Sequence, residues 1–120
     1  MEPIWLDIDA FLNAAQDAMR GLRLLHPGAL ASAMHAPRSA YEYAGQNDLY
    51  VLAGLYLQRV AKAHAFADGN KRSALVAATT FLHMNAVGQA VDEYTLADCV
   101  ERVAASKASA ADFAALYWRK

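Results

Sequence analysis

Alanine fills 28 of the 120 positions, and this excess constrains the fold more than any other feature of the sequence. Alanine is the best helix former and among the poorest strand formers, so the composition points to an all-α domain. Its small side chain also lets helices approach closely. Hydrophobic residues make up 57% of the chain and charged residues only 19%, a balance that favours a packed core over disorder. With no repeat, linker or low-complexity segment, residues 1–120 read as a single domain. A net charge of −1 argues against a surface that coats nucleic acid, which needs a strong basic excess. The lone cysteine, Cys99, excludes an internal disulfide framework and a multi-cysteine zinc site.

The opening residues Glu2, Pro3, Asp7 and Asp9 carry the wrong charge for a signal peptide. The longest apolar run, Leu49 to Leu57, is far short of the ~20 residues of a membrane span. A cytoplasmic protein without a membrane anchor is the expectation.

Periodicity and capping residues predict about six helices. The first covers about 8–20, capped by Asp7. The second starts at Pro27 and runs to about His35. Pro37 and Ala44-Gly45-Gln46-Asn47 bracket an irregular stretch holding Tyr41 and Tyr43. Asp48 caps a helix from Leu49 to about Ala63, apolar nearly all round and therefore central. Another apolar helix follows over about 71–86, ended by Gly88. Thr95-Leu-Ala-Asp98 and Ser109-Ala-Ala-Asp112 resemble capping boxes that open helices near 96–106 and 110–119.

Between the two central helices lies His64-Ala65-Phe66-Ala67-Asp68-Gly69-Asn70-Lys71-Arg72. Asn70 is placed to cap the second of them, with Lys71 and Arg72 in its first turn. Cations at a helix start add positive charge to a positive dipole end, which makes sense when an anion settles between them. From Gln58 to Arg72, the cations Arg59, Lys62, Lys71 and Arg72 face one acid, Asp68. Free backbone N–H groups, a glycine that allows close approach, an arginine fork and a lysine together suit phosphate. Asp68 would then hold Mg²⁺ together with phosphate oxygens, and His64 would take a proton from an attacking hydroxyl. Phe66 reads as the anchor pinning the loop to the core.

The same residues resemble the signature of the Fic/Doc superfamily, His-Pro-Phe-x-[Asp/Glu]-Gly-Asn-[Gly/Lys]-Arg. The lysine variant continuing as Ser73-Ala74-Leu75 is similar to the death-on-curing (Doc) branch, the toxins of type II toxin–antitoxin modules. His26-Pro27-Gly28, the stretch Pro37 to Tyr41 and Phe81-Leu82 with Asn85 extend the likeness along the chain. The resemblance implies a compact six-helix bundle with the active-site loop between two central helices. It also implies catalytic roles for His64, Asp68, Lys71 and Arg72, and phosphate binding by Gly69, Asn70, Lys71 and Arg72. Ala65 departs from the usual proline, a loss of loop rigidity and not of chemistry. Leu75 stands where adenylylating relatives carry a second arginine, and Lys71 replaces their second glycine. Both favour transfer of the γ-phosphoryl group of ATP, in Mg²⁺-dependent fashion, to a threonine of elongation factor Tu over transfer of AMP. Self-restrained Fic enzymes carry [Ser/Thr]-x-x-x-Glu, and none of Glu2, Glu42, Glu93 or Glu101 completes that pattern. Control is therefore expected from a cognate prevent-host-death-like antitoxin through its C-terminal segment. The Tyr41–Tyr43 segment corresponds to the flap that covers the site in Fic proteins.

Two other readings compete. Arg59 and His64 fit Arg-x4-His, the loose signature of metal-independent HEPN-type ribonucleases, but that leaves Asp68, Gly69 and Asn70 unexplained. A helical binding module without catalysis would leave the whole 64–72 cluster without a task. His26, His35 and His83 have no partner at metal-ligand spacing. Cys99 reads as buried, and Tyr117 and Trp118 are open between core face and partner contact.

Overall fold

The computed structural model describes residues 1–87 and 90–118. Six helices follow in order: α1 (Ile8–Ala18), α2 (Pro27–Ala44), α3 (Leu49–Ala63), α4 (Asn70–Met84), α5 (Glu93–Ala104) and α6 (Ala110–Trp118). Among the described residues extended pairing is confined to one isolated antiparallel bridge, Leu24 to Phe66. The fold is all-α.

α3 is the axis of the bundle. Its residues Leu52, Ala53, Tyr56, Leu57, Val60 and Ala61 are buried, and α2, α4, α5 and α6 all pack against it. Asp48 starts it as expected, its carboxylate accepting N–H bonds from Tyr50 and Val51. Small residues set the spacing between helices. A Cβ on Gly54 would lie 2.3 Å from the carbonyl oxygen of Ala110, so α6 begins directly on the bare backbone of α3.

α1 runs antiparallel to α4. At one end Asn85 holds the N-terminal segment, its Oδ1 accepting from Ile4 N–H at 2.8 Å and its Nδ2 donating to Ile4 C=O at 3.0 Å. At the other end Met19 lies against Gly69. Trp5 stacks on Phe81 at 6.0 Å and meets Tyr41 edge-on at 5.5 Å. Leu6 N–H donates to the Tyr56 hydroxyl at 3.2 Å, and burial pushes the Tyr56 pKa up to about 12 despite that bond and the nearby Arg38.

Several helix boundaries differ from the sequence reading. α2 does not stop near His35 but continues through Pro37 to Ala44, where Gly45 closes it in the left-handed conformation. An interior proline forfeits a hydrogen bond and crowds the preceding turn, at about 3 kcal/mol. Full burial of its ring, together with Leu30, Ala33 and Met34 on the same helix, offsets that cost. The expected irregular stretch is therefore helical. α1 ends at Ala18, and α4 covers 70–84 instead of 71–86; the Gly88 stop lies outside the described residues. α5 starts three residues early because Asp92, not Thr95, is its N-cap, with Thr95 donating to the Asp92 carboxylate from both its N–H and its hydroxyl. The Ser109–Asp112 box forms reciprocally: Ser109 N–H donates to Asp112 Oδ2 at 2.7 Å and Asp112 N–H donates to Ser109 Oγ at 3.4 Å. Cys99 is buried, as is Tyr117, whose ring stacks on Tyr50 at 5.1 Å, while Trp118 is half exposed.

Candidate active site

The loop between α3 and α4 starts at a backbone reversal. His64 closes α3 in the left-handed region at φ 49°, ψ 42°, a conformation costly for a residue with a Cβ. The reversal places the imidazole off the helix axis and exposed, where it lines a cavity. Ala65 and Phe66 then dive into the core, and Phe66 meets Phe11 at 6.2 Å. The anchoring role expected of Phe66 is what the packing gives it.

Three backbone bonds tie the loop to the α1–α2 linker. Leu25 and His26 both donate to Ala65 C=O, and Ala67 N–H donates to Arg23 C=O. Asn70 completes the bracing from within. Its Oδ1 accepts from Phe66 N–H and its Nδ2 donates to Phe66 C=O, both at 3.0 Å. This corrects the expected cap: Asn70 is the first helical residue, and Gly69, at φ 76°, is the N-cap. Gly69 has no side chain to offer, so the amides of the first turn of α4 are left uncapped. The Asn70 side chain is committed to the loop, and only its N–H faces the helix mouth with those of Lys71 and Arg72.

His64, Asp68, Gly69, Asn70, Lys71 and Arg72 line one cavity of about 400 Å³, with Ala61, Ala67 and Ala104 as its apolar wall. All six residues singled out in the sequence are thus brought together. Asp68 is exposed, one carboxylate oxygen accepting from Gly69 N–H at 2.8 Å. Lys71 turns to α5, its ammonium 2.9 Å from Glu101. Arg72 forms no ion pair among the described residues. Arg59, the other half of the Arg-x4-His pair, does not line the cavity that His64 lines.

A second cavity of about 410 Å³ opens on the other side of the same loop, between Ala67, Asp68, Gly69, Arg72 and the linker residues Met19 to Arg23. Arg20 and Arg23 of that linker escaped the sequence reading; the alternation Arg20-Gly21-Leu22-Arg23 before Pro27 was the available signal. The linker, and not the Tyr41–Tyr43 segment, covers the loop. Those tyrosines lie at the opposite end of α3, whose 15 residues span about 22 Å. Tyr41 packs on Trp5 and Tyr43 is 86% exposed.

No group of three His, Cys, Asp or Glu side chains that could hold a metal exists among the described residues. A single carboxylate fits Mg²⁺ only where phosphate and water oxygens supply the remaining ligands, which is how that ion is commonly held beside nucleotides. Asp68, next to Arg72 and the uncapped helix start, fits that donor set.

The bundle thus carries an uncapped, cationic helix start beside a histidine and a carboxylate. Residues 5–82 match the Fic/DOC family, and the chain belongs to it. It is 39% identical over 90 residues to "Toxin Doc" of Mycolicibacterium smegmatis, covering 73% of this chain and 69% of that protein. It is 33% identical over 88 residues to "Protein kinase doc" of Escherichia phage P1, again covering 73% and 69%.

Proposed function

We propose that this chain is a Doc-type toxin that transfers the γ-phosphoryl group of ATP to a serine or threonine hydroxyl of a translation factor, with elongation factor Tu as the acceptor by resemblance. The observation carrying this reading is that His64, Asp68, Arg72 and the free amides of α4 line a single cavity. The relative named a protein kinase supports phosphoryl over adenylyl transfer. So does Leu75, which packs against the core and offers no second cation for a nucleotide.

In this mechanism His64 accepts the proton of the attacking hydroxyl as its oxygen bonds to the γ-phosphorus. The bond from that phosphorus to the bridging oxygen breaks, and ADP leaves with the electron pair. Arg72 and the amides of Asn70, Lys71 and Arg72 grip the phosphate oxygens, and Asp68 would hold Mg²⁺, which neutralises charge on them when bound. Little else is needed, since phosphoryl transfer relies on positioning and charge stabilisation. A base at His64 contributes about 10²–10⁴-fold. The antitoxin of a type II module would silence the toxin by laying its C-terminal segment over this end, and the setting is cytoplasmic. No helix among the described residues is long and apolar enough to cross a membrane.

ATP labelled at the γ- or at the α-phosphorus, incubated with Mg²⁺ and elongation factor Tu, separates the chemistries. Label from the γ-position on the protein is the expected result, abolished by Asp68→Ala. Label from the α-position instead would assign AMP transfer.

A further inference from the structure

The net charge of −1 conceals opposite charge at the two ends of the bundle among the described residues. The antiparallel helices bring Arg20, Arg23, Arg59, Lys62, Lys71 and Arg72 to the end that holds the loop, all of them exposed. The carboxylates at that end are Asp17, Asp68 and Glu101. The far end carries Glu2, Asp7, Asp9, Glu42, Asp48 and Glu93, with Arg38 its single lysine or arginine among the described residues. Arg38 is paired with Glu2 and Glu42, whereas of the six cations at the loop end only Lys71 is in an ion pair among the described residues.

Helix dipoles do not account for this segregation. The C-termini of α1, α3 and α5 meet the N-termini of α2 and α4 at the loop end, and their half-charges nearly cancel. Arg102 and Lys107 share a groove with Asp98 and Asp112 on the flank and add little. Five cations without an ion pair among the described residues, held around one loop, repel each other, a cost relieved when an anionic surface arrives.

We propose that the loop end docks an acidic protein surface, with Arg20, Arg23 and Arg59 as contacts outside the catalytic loop. This deepens the reading that a protein hydroxyl is the acceptor, and rests on it. The occupant is a protein and not a nucleic acid because the exposed aromatic rings that would stack bases, Tyr43, Tyr94 and Trp118, all lie at the far end. Half-exposed Leu25, beside Arg23, offers an apolar contact instead. Three interspersed carboxylates would also oppose a continuous phosphate backbone.

The probe is a short fluorescent peptide with a central threonine flanked by glutamates, compared with one flanked by glutamines, titrated with the full chain by anisotropy. The glutamate peptide is expected to bind about tenfold tighter, with the advantage lost as salt shortens the screening length from about 30 Å at 0.01 M to about 10 Å at 0.1 M. Arg20→Glu with Arg59→Glu should abolish the preference, and Asp9→Lys at the far end should leave it unchanged. Should the double variant melt early, Arg20→Gln and Arg59→Gln singly should each weaken it about threefold. Equal binding of the two peptides overturns the proposal. So does a preference that follows net charge alone, rising with Asp9→Lys, or tighter binding of an RNA oligonucleotide. Since no nucleotide is present, a negative result strikes the docking surface alone, whereas absence of label transfer from ATP strikes the transferase reading alone.

Discussion

The ammonium of Lys71 lies 2.9 and 3.1 Å from the two carboxylate oxygens of Glu101, joining the first turn of α4 to α5 beside the cavity that Lys71 lines. Lys71 is thereby held by an internal anion at the place where a phosphate would bind. Both side chains are more than half exposed, so the pair is worth at most about 1 kcal/mol. Glu101→Gln should therefore tighten Mg-ATP up to about fivefold in calorimetry, and Lys71→Met should weaken it. No effect of either substitution would remove Lys71 from the phosphate site.

His64, the proposed proton acceptor, has a left-handed backbone that glycine adopts more easily. His64→Gly should raise stability by up to about 1 kcal/mol in chemical denaturation while transfer is lost. A variant both inactive and less stable would show that the imidazole holds the loop as well.

Ser73 is fully buried behind the loop, and its hydroxyl meets no hydrogen-bond partner among the described residues. Removing such a group relieves desolvation and brings in a better helix former. Ser73→Ala should stabilise the fold by about 1 kcal/mol, read as a rise in melting temperature at unchanged nucleotide affinity.

The pattern that made α3 and its Asp48 cap legible was local: apolar spacing and a side-chain cap within three residues. The motif residues could also be gathered from sequence, since a short loop between two helices leaves them nowhere else to go. What sequence could not supply was tertiary. Pro37 reads as a breaker until its ring is buried, Asn70 reads as a cap until its amide is bonded to Phe66, and Glu101 is 30 residues from Lys71. Arg20 and Arg23 reach the loop only because α1 runs antiparallel to α4. The total charge likewise hid the separation of the two ends.

Gly54 tests the packing of the bundle. Its replacement by alanine sets a methyl against the Ala110 carbonyl at 2.3 Å, which backbone cannot relieve cheaply. Gly54→Ala should cost about 3 kcal/mol in denaturant unfolding, far more than the helix propensity it gains.

Alkaline pH should unfold the protein through Tyr56. The fold raises its pKa from 10.0 to about 12, so the native state keeps a proton that the unfolded chain releases first. Its contribution is complete below pH 10 and is lost as pH rises to about 12, about 2–3 kcal/mol in all. Melting temperature should fall across that window, and Tyr56→Phe should flatten the fall. An equally steep decline in the variant would place the effect elsewhere.

The intact mass of elongation factor Tu after incubation with this protein and Mg-ATP reads the proposed transfer directly. A single added phosphoryl group is expected, and His64→Ala and Asp68→Ala should both prevent it. An adenylyl adduct, or an unmodified factor under conditions where Mg-ATP is bound, would contradict it.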